Sequence, residues 1–119
     1  MRSFNISVRE TDLFIRSDMD LAQLALSSVH RIRSALESYI AFHTDFLSSL
    51  TPVSYDEIAP EIIRDMMTAS AKARVGPMAA VAGAVAEHVG RDLLSCSRNV
   101  IVENGGDIFI QSLNDVQVD

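Results

Sequence analysis

Residues 74 to 110 read RVGPMAAVAGAVAEHVGRDLLSCSRNVIVENGGDIFI, and they carry the strongest folding signals in the chain. Gly76 is predicted to be a left-handed residue that ends one helix, and Pro77 suits the first turn of the next helix, where its missing N–H is no loss. Small residues occupy most positions from there to Gly90, so another backbone or a sheet can approach closely. We predict a central helix from Pro77 to about Leu94, with residues 81–85 buried.

A β-hairpin is predicted directly after this helix. Two short β-branched runs, Val100–Val102 and Ile108–Ile110, flank Asn104-Gly105, and this dipeptide is a strong hairpin signal. The predicted turn therefore lies at Asn104-Gly105, with a second glycine and several polar side chains beside it.

The N-terminal segment predicts a second hairpin. Phe4, Ile6 and Val8 alternate with polar residues, which is the pattern of a half-buried strand. Leu13 and Ile15 give a shorter run of the same kind after a polar turn. An antiparallel pair follows from these two runs.

Two further helices are predicted between the N-terminal hairpin and the central helix. Ser17 or Asp18 is the predicted cap of a long amphipathic helix, whose apolar stripe extends to Ile40. Pro52 indicates a loop, and the second helix is predicted to begin near Pro60 because proline is poorly tolerated inside a helix.

The order of strands and helices predicts the fold class. Two strands, then helices, then two strands favour an α+β fold, with an antiparallel sheet and the helices packed on one face. Residues 1–119 are short enough to form a single domain. The tail, residues 113–119, is predicted to be either a further strand or frayed.

The composition argues against several classes of protein. A net charge of -6 provides no basic surface for nucleic acid. The apolar run Val75–Ala86 is shorter than the roughly 20 residues that a membrane span needs, so no membrane association is expected. Residues 1–7 do not resemble a signal peptide, and the single Cys96 cannot form an internal disulfide, so we expect a cytoplasmic protein.

The histidines do not predict a metal site. His30 and His43 lack ligand spacing, and His88 follows Glu87 without the second histidine of a zinc-protease helix. We interpret all three as solvated or structural side chains.

Two motifs together suggest a family. They are the helix start at residues 76–84 (GPMAAVAGA) and the turn at residues 103–108 (ENGGDI), with weaker agreement at residues 10–13 (ETDL) and 89–94 (VGRDLL). In these motifs the chain resembles the ApbE-like superfamily, in particular its uncharacterised ApbE-related branch. The resemblance covers nearly the whole chain, and its most specific element is the Asn-Gly-Gly-Asp turn.

The resemblance implies a fold and a ligand. ApbE-like proteins are built from T-fold units, usually duplicated, and this chain corresponds to one unit, the first half. Characterised members use FAD and a divalent metal to attach FMN to proteins. FAD or FMN is therefore the implied ligand, and magnesium is implied only where the second half is supplied.

This sequence departs from the flavin transferases of the superfamily in two ways that argue against FMN transfer. The transferases carry a lysine just before the glycine of the helix motif, whereas Ala82 precedes Gly83 here. Their metal-binding Asp and Thr lie in the second half of the long chain. We therefore expect no metal site and no FMN transfer by this chain alone, and the catalytic residues are unknown.

The resemblance also implies a position for the ligand. Backbone N–H groups around glycines can approach a flavin or nucleotide, and a helix start can hold a phosphate. The implied contact residues are Gly76, Pro77, Glu103, Asn104, Gly105, Gly106 and Asp107. The alternatives are a plain hairpin turn and a plain helix cap.

Two functional hypotheses stay open. One is a small-molecule-binding domain, and the other is a structural or oligomerisation module with no ligand. A single unit leaves sheet edges uncovered, so a homo-oligomer is expected under either hypothesis.

Overall fold

The computed structural model describes residues 1–112, so the predicted tail lies outside the described residues. The strands and the three main helices follow one another as predicted, whereas a short helix at Thr44–Ser48 was not predicted. The order of elements is β1 (Arg2–Val8), β2 (Thr11–Ser17), α1 (Ala22–Phe42), α2 (Thr44–Ser48), α3 (Glu61–Ala73), a 3₁₀ turn (Pro77–Ala80), α4 (Val81–Leu93), β3 (Asn99–Asn104) and β4 (Asp107–Ser112).

The strands form one antiparallel sheet of four strands in the order β1-β2-β3-β4. Alternate residues of the two central strands are buried under the helices, including Leu13 and Ile15 of β2 and Val100 and Val102 of β3. The residues between them lie on the opposite face, which the described helices leave uncovered. The predicted α+β fold, with helices on one face of an antiparallel sheet, is confirmed.

The helices fill the space above the buried face. Helix α1 contacts β1, α4 contacts β3 and β4, and α3 packs against both helices. Fully buried side chains at these contacts include Val29 of α1, Ile63 and Met66 of α3, and Val89 and Leu93 of α4. Burying each such side chain contributes about 1.5–3 kcal/mol relative to exposure, so this interior is the main source of stability.

The predicted cap of α1 is wrong. Ser17 is fully buried at the end of β2, and α1 begins at Ala22, whose N–H donates to Oδ1 of Asp20 over 3.0 Å. Asp18 instead accepts hydrogen bonds from the backbone N–H and the side-chain amide of Asn99, at 3.1 and 3.0 Å. Asp18 therefore connects the end of β2 to the start of β3.

Because of this role, Asp18→Asn should destabilise the protein in a pH-dependent way. Hydrogen bonds, above all from the Asn99 side chain, hold the pKa of Asp18 below its ordinary value of 3.8. A lowered folded-state pKa gives stability that is present above the ordinary value and is lost as pH falls through the folded value. We expect the melting temperature of the variant to be lower than that of the parent at pH 7, and the difference to be smaller at an acidic pH below 3.8. An equal difference at both pH values would show that the charge of Asp18 contributes nothing.

The predicted left-handed conformation of Gly76 is also wrong. Arg74 takes it instead, with φ 60° and ψ 41° at the end of α3, while Gly76 is extended with φ -70° and ψ 158°. Glycine is required at position 76 for space, since a Cβ there would lie 1.8 Å from the carbonyl oxygen of Ser49. Pro77 begins the next helical segment as predicted.

The central helix starts as the 3₁₀ turn and continues as α4. Its closest contact with the sheet is at Gly90, where a Cβ would lie 2.1 Å from Cδ2 of Phe109. Ala84 and Val85 are buried as predicted, but residues 81–83 are only half-buried. They are half-buried because this end of the helix borders a groove.

Candidate ligand site

The glycine turn joins β3 to β4. Asn104 pairs with Asp107, so Gly105 and Gly106 are the turn residues, one position later than predicted. Gly105 has a φ of 61°, which favours glycine. No described atom lies within 4 Å of a Cβ built at either glycine, so the backbone of both residues is open to an approaching ligand.

The polar residues on either side of the turn reach the start of α4. The Asn104 side-chain amide donates a hydrogen bond of 3.1 Å to the carbonyl oxygen of Ala82. The Asp107 carboxylate lies above Gly83, since its Oδ1 is 3.2 Å from the position that a Cβ would take there. The structure thus brings the helix motif and the turn motif of the sequence into direct contact.

A groove of about 470 Å³ lies next to this contact, between α1, the β1–β2 turn and the start of α4. Its apolar wall comes from helical residues, and its polar groups come from α1, the β1–β2 turn and the end of β3. The lining residues are Glu10, Thr11, Arg33, Leu36, Glu37, Ile40, Leu47, Met78, Val81, Ala82, Val85 and Asn104.

Arg33 organises the polar side of the groove. Its guanidinium donates to Oγ1 of Thr11 over 2.6 Å, to Glu10 over 2.9 Å and to Glu37 over 3.1 Å. The Arg33 side chain is 15% exposed, whereas those of Glu10 and Glu37 are 82% and 56% exposed. The cation is therefore inside and the carboxylates are at the rim.

The ionisation of the rim follows from this geometry. The hydrogen bond from Arg33, a backbone hydrogen bond and the positive charge of Arg33 lower the pKa of Glu10. Glu10 therefore stays ionised at neutral pH. With Glu37, the groove lining carries two carboxylates and one guanidinium, and the positive charge of Arg9, next to Glu10, also lowers the pKa of Glu10.

Asn104 is the predicted contact residue that lines the groove. Gly105, Gly106 and Asp107 follow it directly in the chain. Glu103 lies on the other face of the sheet, because it alternates with the buried Val102. Asn104 is therefore at the groove wall, whereas Gly105, Gly106 and Asp107 follow it in the chain but do not line the groove.

Gly76 and Pro77 are closed off by packing. Gly76 lies against the backbone of Ser49 and Leu50, and Pro77 is buried. The next residue, Met78, lines the groove. The helix start thus shapes the groove through its neighbour, and a direct ligand contact by Gly76 or Pro77 stays a prediction.

The cluster of Arg33 with Glu10, Thr11 and Glu37 was not predicted from the sequence. Arg33 and Glu37 are spaced for an i,i+4 ion pair on a helix, which is a common surface pattern. Glu10 and Thr11 belong to the ETDL segment that matched the resembled superfamily. Each of these two segments therefore carried a pattern of its own, but nothing in the sequence indicated that they contact each other.

A larger groove of about 750 Å³ lies between α2 and the loop that follows it. The Tyr39 ring stacks on His43 there, with centroids 3.9 Å apart, and its hydroxyl donates to Asp56 over 2.8 Å. Burial and the Asp56 carboxylate raise the pKa of Tyr39 to about 12. The lining of this larger groove includes none of the predicted contact residues, so we prefer the smaller groove as the candidate site.

Among residues 1–112, no three His, Cys, Asp or Glu side chains are grouped so that they could hold a metal ion. His88 contacts Asp65 of α3 through its Nε2, at 2.6 Å, and so joins two helices. No helix in this part of the chain is long and apolar enough to cross a membrane.

Comparison with known proteins assigns the chain to a family. The family described as AbpE bacteria matches residues 1–119. The chain belongs to this family. The match establishes membership of this family only. The assignment to the ApbE-like superfamily and the T-fold stay predictions.

Three curated relatives are named UPF0280 proteins. The protein of Methanococcus aeolicus is 36% identical over 115 residues, which is 95% of this chain and 46% of the relative. That of Methanocaldococcus jannaschii is 40% identical over 112 residues (93% and 45%), and that of Methanopyrus kandleri is 39% identical over 119 residues (99% and 48%). The chain spans about half the length of these relatives.

Proposed function

We propose that this chain is a small-molecule-binding domain that takes a flavin or a related nucleotide in the groove beside the glycine turn. The observation that carries the proposal is the uncovered backbone of Gly105 and Gly106 directly after Asn104, a residue of the groove wall. A ligand that extends from the groove past Asn104 would meet backbone groups that no side chain covers.

The groove has the size and lining that such a ligand needs. Its volume of about 470 Å³ is typical of small-molecule pockets, which combine apolar walls with a few convergent polar groups. Leu36, Val81 and Val85 offer an apolar surface for a ring, and Arg33 and Asn104 add polar groups. Ala82, at the place of the transferase lysine in the resembled motif, also lines the groove.

Binding is tested by calorimetric titration with FAD, FMN and ADP. We expect weak binding of at least one of them and its loss in Gly106→Val, because the valine would occupy the approach path. Position 106 lacks a positive φ, and a Cβ there meets no described atom, so the variant should fold normally. An unchanged melting temperature serves as the control. If none of the three ligands binds, the binding function is wrong.

We further propose that this cytoplasmic domain has one T-fold-like unit and does not transfer FMN by itself, even with magnesium. Ala82 supplies no charge where the transferases have lysine, and phosphoanhydride chemistry needs a cation to offset developing charge. A mass-shift assay for flavinylation tests this, and a robust signal would contradict it.

An oligomerisation module is the second candidate function, and exposed residues of β4 favour it. Ile108 and Ile110 are 57% and 63% exposed on an edge strand, beside Ile101 on the outer face of the sheet. Exposed apolar edges are normally covered or paired.

A dimer or larger closed oligomer is therefore expected in light scattering at high protein concentration. Ile110→Lys should lower the measured mass, because a charge opposes association of the apolar surface. Ile58→Lys is the matched control, since Ile58 is 89% exposed in the loop before α3. A monomeric parent protein would contradict the prediction.

A further inference from the structure

The charges around the groove are arranged unlike those of a phosphate site. Arg33 is the only cationic side chain among the lining residues, and it already donates to Glu10, Glu37 and Thr11. Phosphate sites usually present uncommitted cations or backbone N–H groups to the anion. Here an anion approaching from solvent meets the exposed carboxylates before it meets the guanidinium.

We infer, on the basis of the proposed function, that the groove selects the phosphate-free part of its ligand, an uncharged ring or polyol bearing N–H or O–H donors. A phosphate group on the same ligand stays outside, in solvent. The two exposed carboxylates of the groove lining repel it, and the net charge of -6 adds to this repulsion.

The hydrogen-bonding groups at the rim agree with such a ligand. Ionised carboxylates accept hydrogen bonds and cannot donate them. The side-chain NH₂ of Asn104 donates to the carbonyl oxygen of Ala82. The Oδ1 atom of the same side chain accepts no hydrogen bond from residues 1–112, so it remains available as an acceptor. Three acceptor groups at the edge of an apolar groove suit imide N–H and hydroxyl donors, which riboflavin provides without a phosphate.

The experiment compares riboflavin with FMN, which differ by one phosphate, in fluorescence titrations of the full chain. At low ionic strength we expect riboflavin to bind about fivefold more tightly than FMN, because the phosphate carries about two negative charges towards the two exposed carboxylates. In about 0.5 M salt the ratio should fall towards one, since salt screens exposed charges.

Variants locate the effect at the rim. Glu10→Gln with Glu37→Gln keeps an oxygen acceptor for Arg33 and removes the negative charge, so the preference for riboflavin should disappear or reverse. Glu57→Gln makes the same chemical change in the loop before α3, outside the groove lining, and should leave the ratio as it is.

The outcomes separate this inference from the proposed function. Tighter binding of FMN than of riboflavin, with competition by inorganic phosphate, would overturn the inference and leave ligand binding intact, since Arg33 would then hold the phosphate. A riboflavin preference that the double variant retains would also overturn it. Absence of binding by riboflavin, FMN and ADP would remove the proposed function and the inference together.

Discussion

Gly76→Ala is expected to lower the free energy of unfolding by about 3 kcal/mol, at the upper end of the usual cost of overpacking. A Cβ at this position would lie 1.8 Å from the carbonyl oxygen and 2.8 Å from the carbonyl carbon of Ser49, and 3.2 Å from Cα of Leu50. All three are backbone atoms, so no side-chain rotation relieves the overlap. Either the loop after α2 or the 3₁₀ turn has to move.

The backbone of Gly76 makes this a test of space alone. Its φ of -70° and ψ of 158° are open to alanine, so no conformational strain is added. Urea unfolding measures the effect, and Gly106→Ala is the control, with no atom within 4 Å of its Cβ and an expected change within about 0.5 kcal/mol. Equal stability of the two variants would show that the loop yields without cost.

Gly90→Ala is expected to destabilise by about 2 kcal/mol, because the methyl group would lie 2.1 Å from Cδ2 and 2.4 Å from Cε2 of the Phe109 ring. Alanine gains about 1 kcal/mol over glycine in a helix interior, so a net loss requires a larger packing penalty. The ring must leave its place between α4 and β4, and apolar contact between the helix and the edge strand is lost.

A double-mutant cycle with Phe109→Ala identifies the cause. Without the ring, Gly90→Ala should become neutral or stabilising, since only helix propensity remains. Gly83→Ala is a control in the same helix, because its Cβ would meet only the end of the exposed Asp107 side chain, with Oδ1 at 3.2 Å. If the penalty at Gly90 is the same with and without Phe109, the ring is not responsible.

Much of the architecture was predictable because local patterns and the final fold agree. Apolar and polar residues alternate over residues 4–8, and this alternation specifies a strand with one more buried face. In β2 and β3 the burial also alternates, but Phe14 and Ile101 on the outer face are apolar, so the sequence indicates a strand there without specifying its buried face. Pro60 and Pro77 mark helix starts through their own covalent geometry.

Predictions failed where a distant contact decided the local conformation. The left-handed residue is Arg74, although glycine adopts that conformation more easily, because position 76 is needed for the approach of Ser49. The turn follows Asn104, whose side chain is bonded to Ala82 in α4. Neither partner is close enough in the sequence to appear in a local pattern.

The sequence by itself determined the order of the strands and of the three main helices and the presence of a glycine turn, since each depends on short-range periodicity or on glycine and proline geometry. Only the tertiary structure determined where the groove lies and which residues line it. Arg33 meets Thr11 and Glu10 across separations of 22 and 23 residues, and these meet Asn104 only when α1 and α4 lie side by side on the sheet. Such contacts depend on helix packing, which a linear pattern of residue types does not specify.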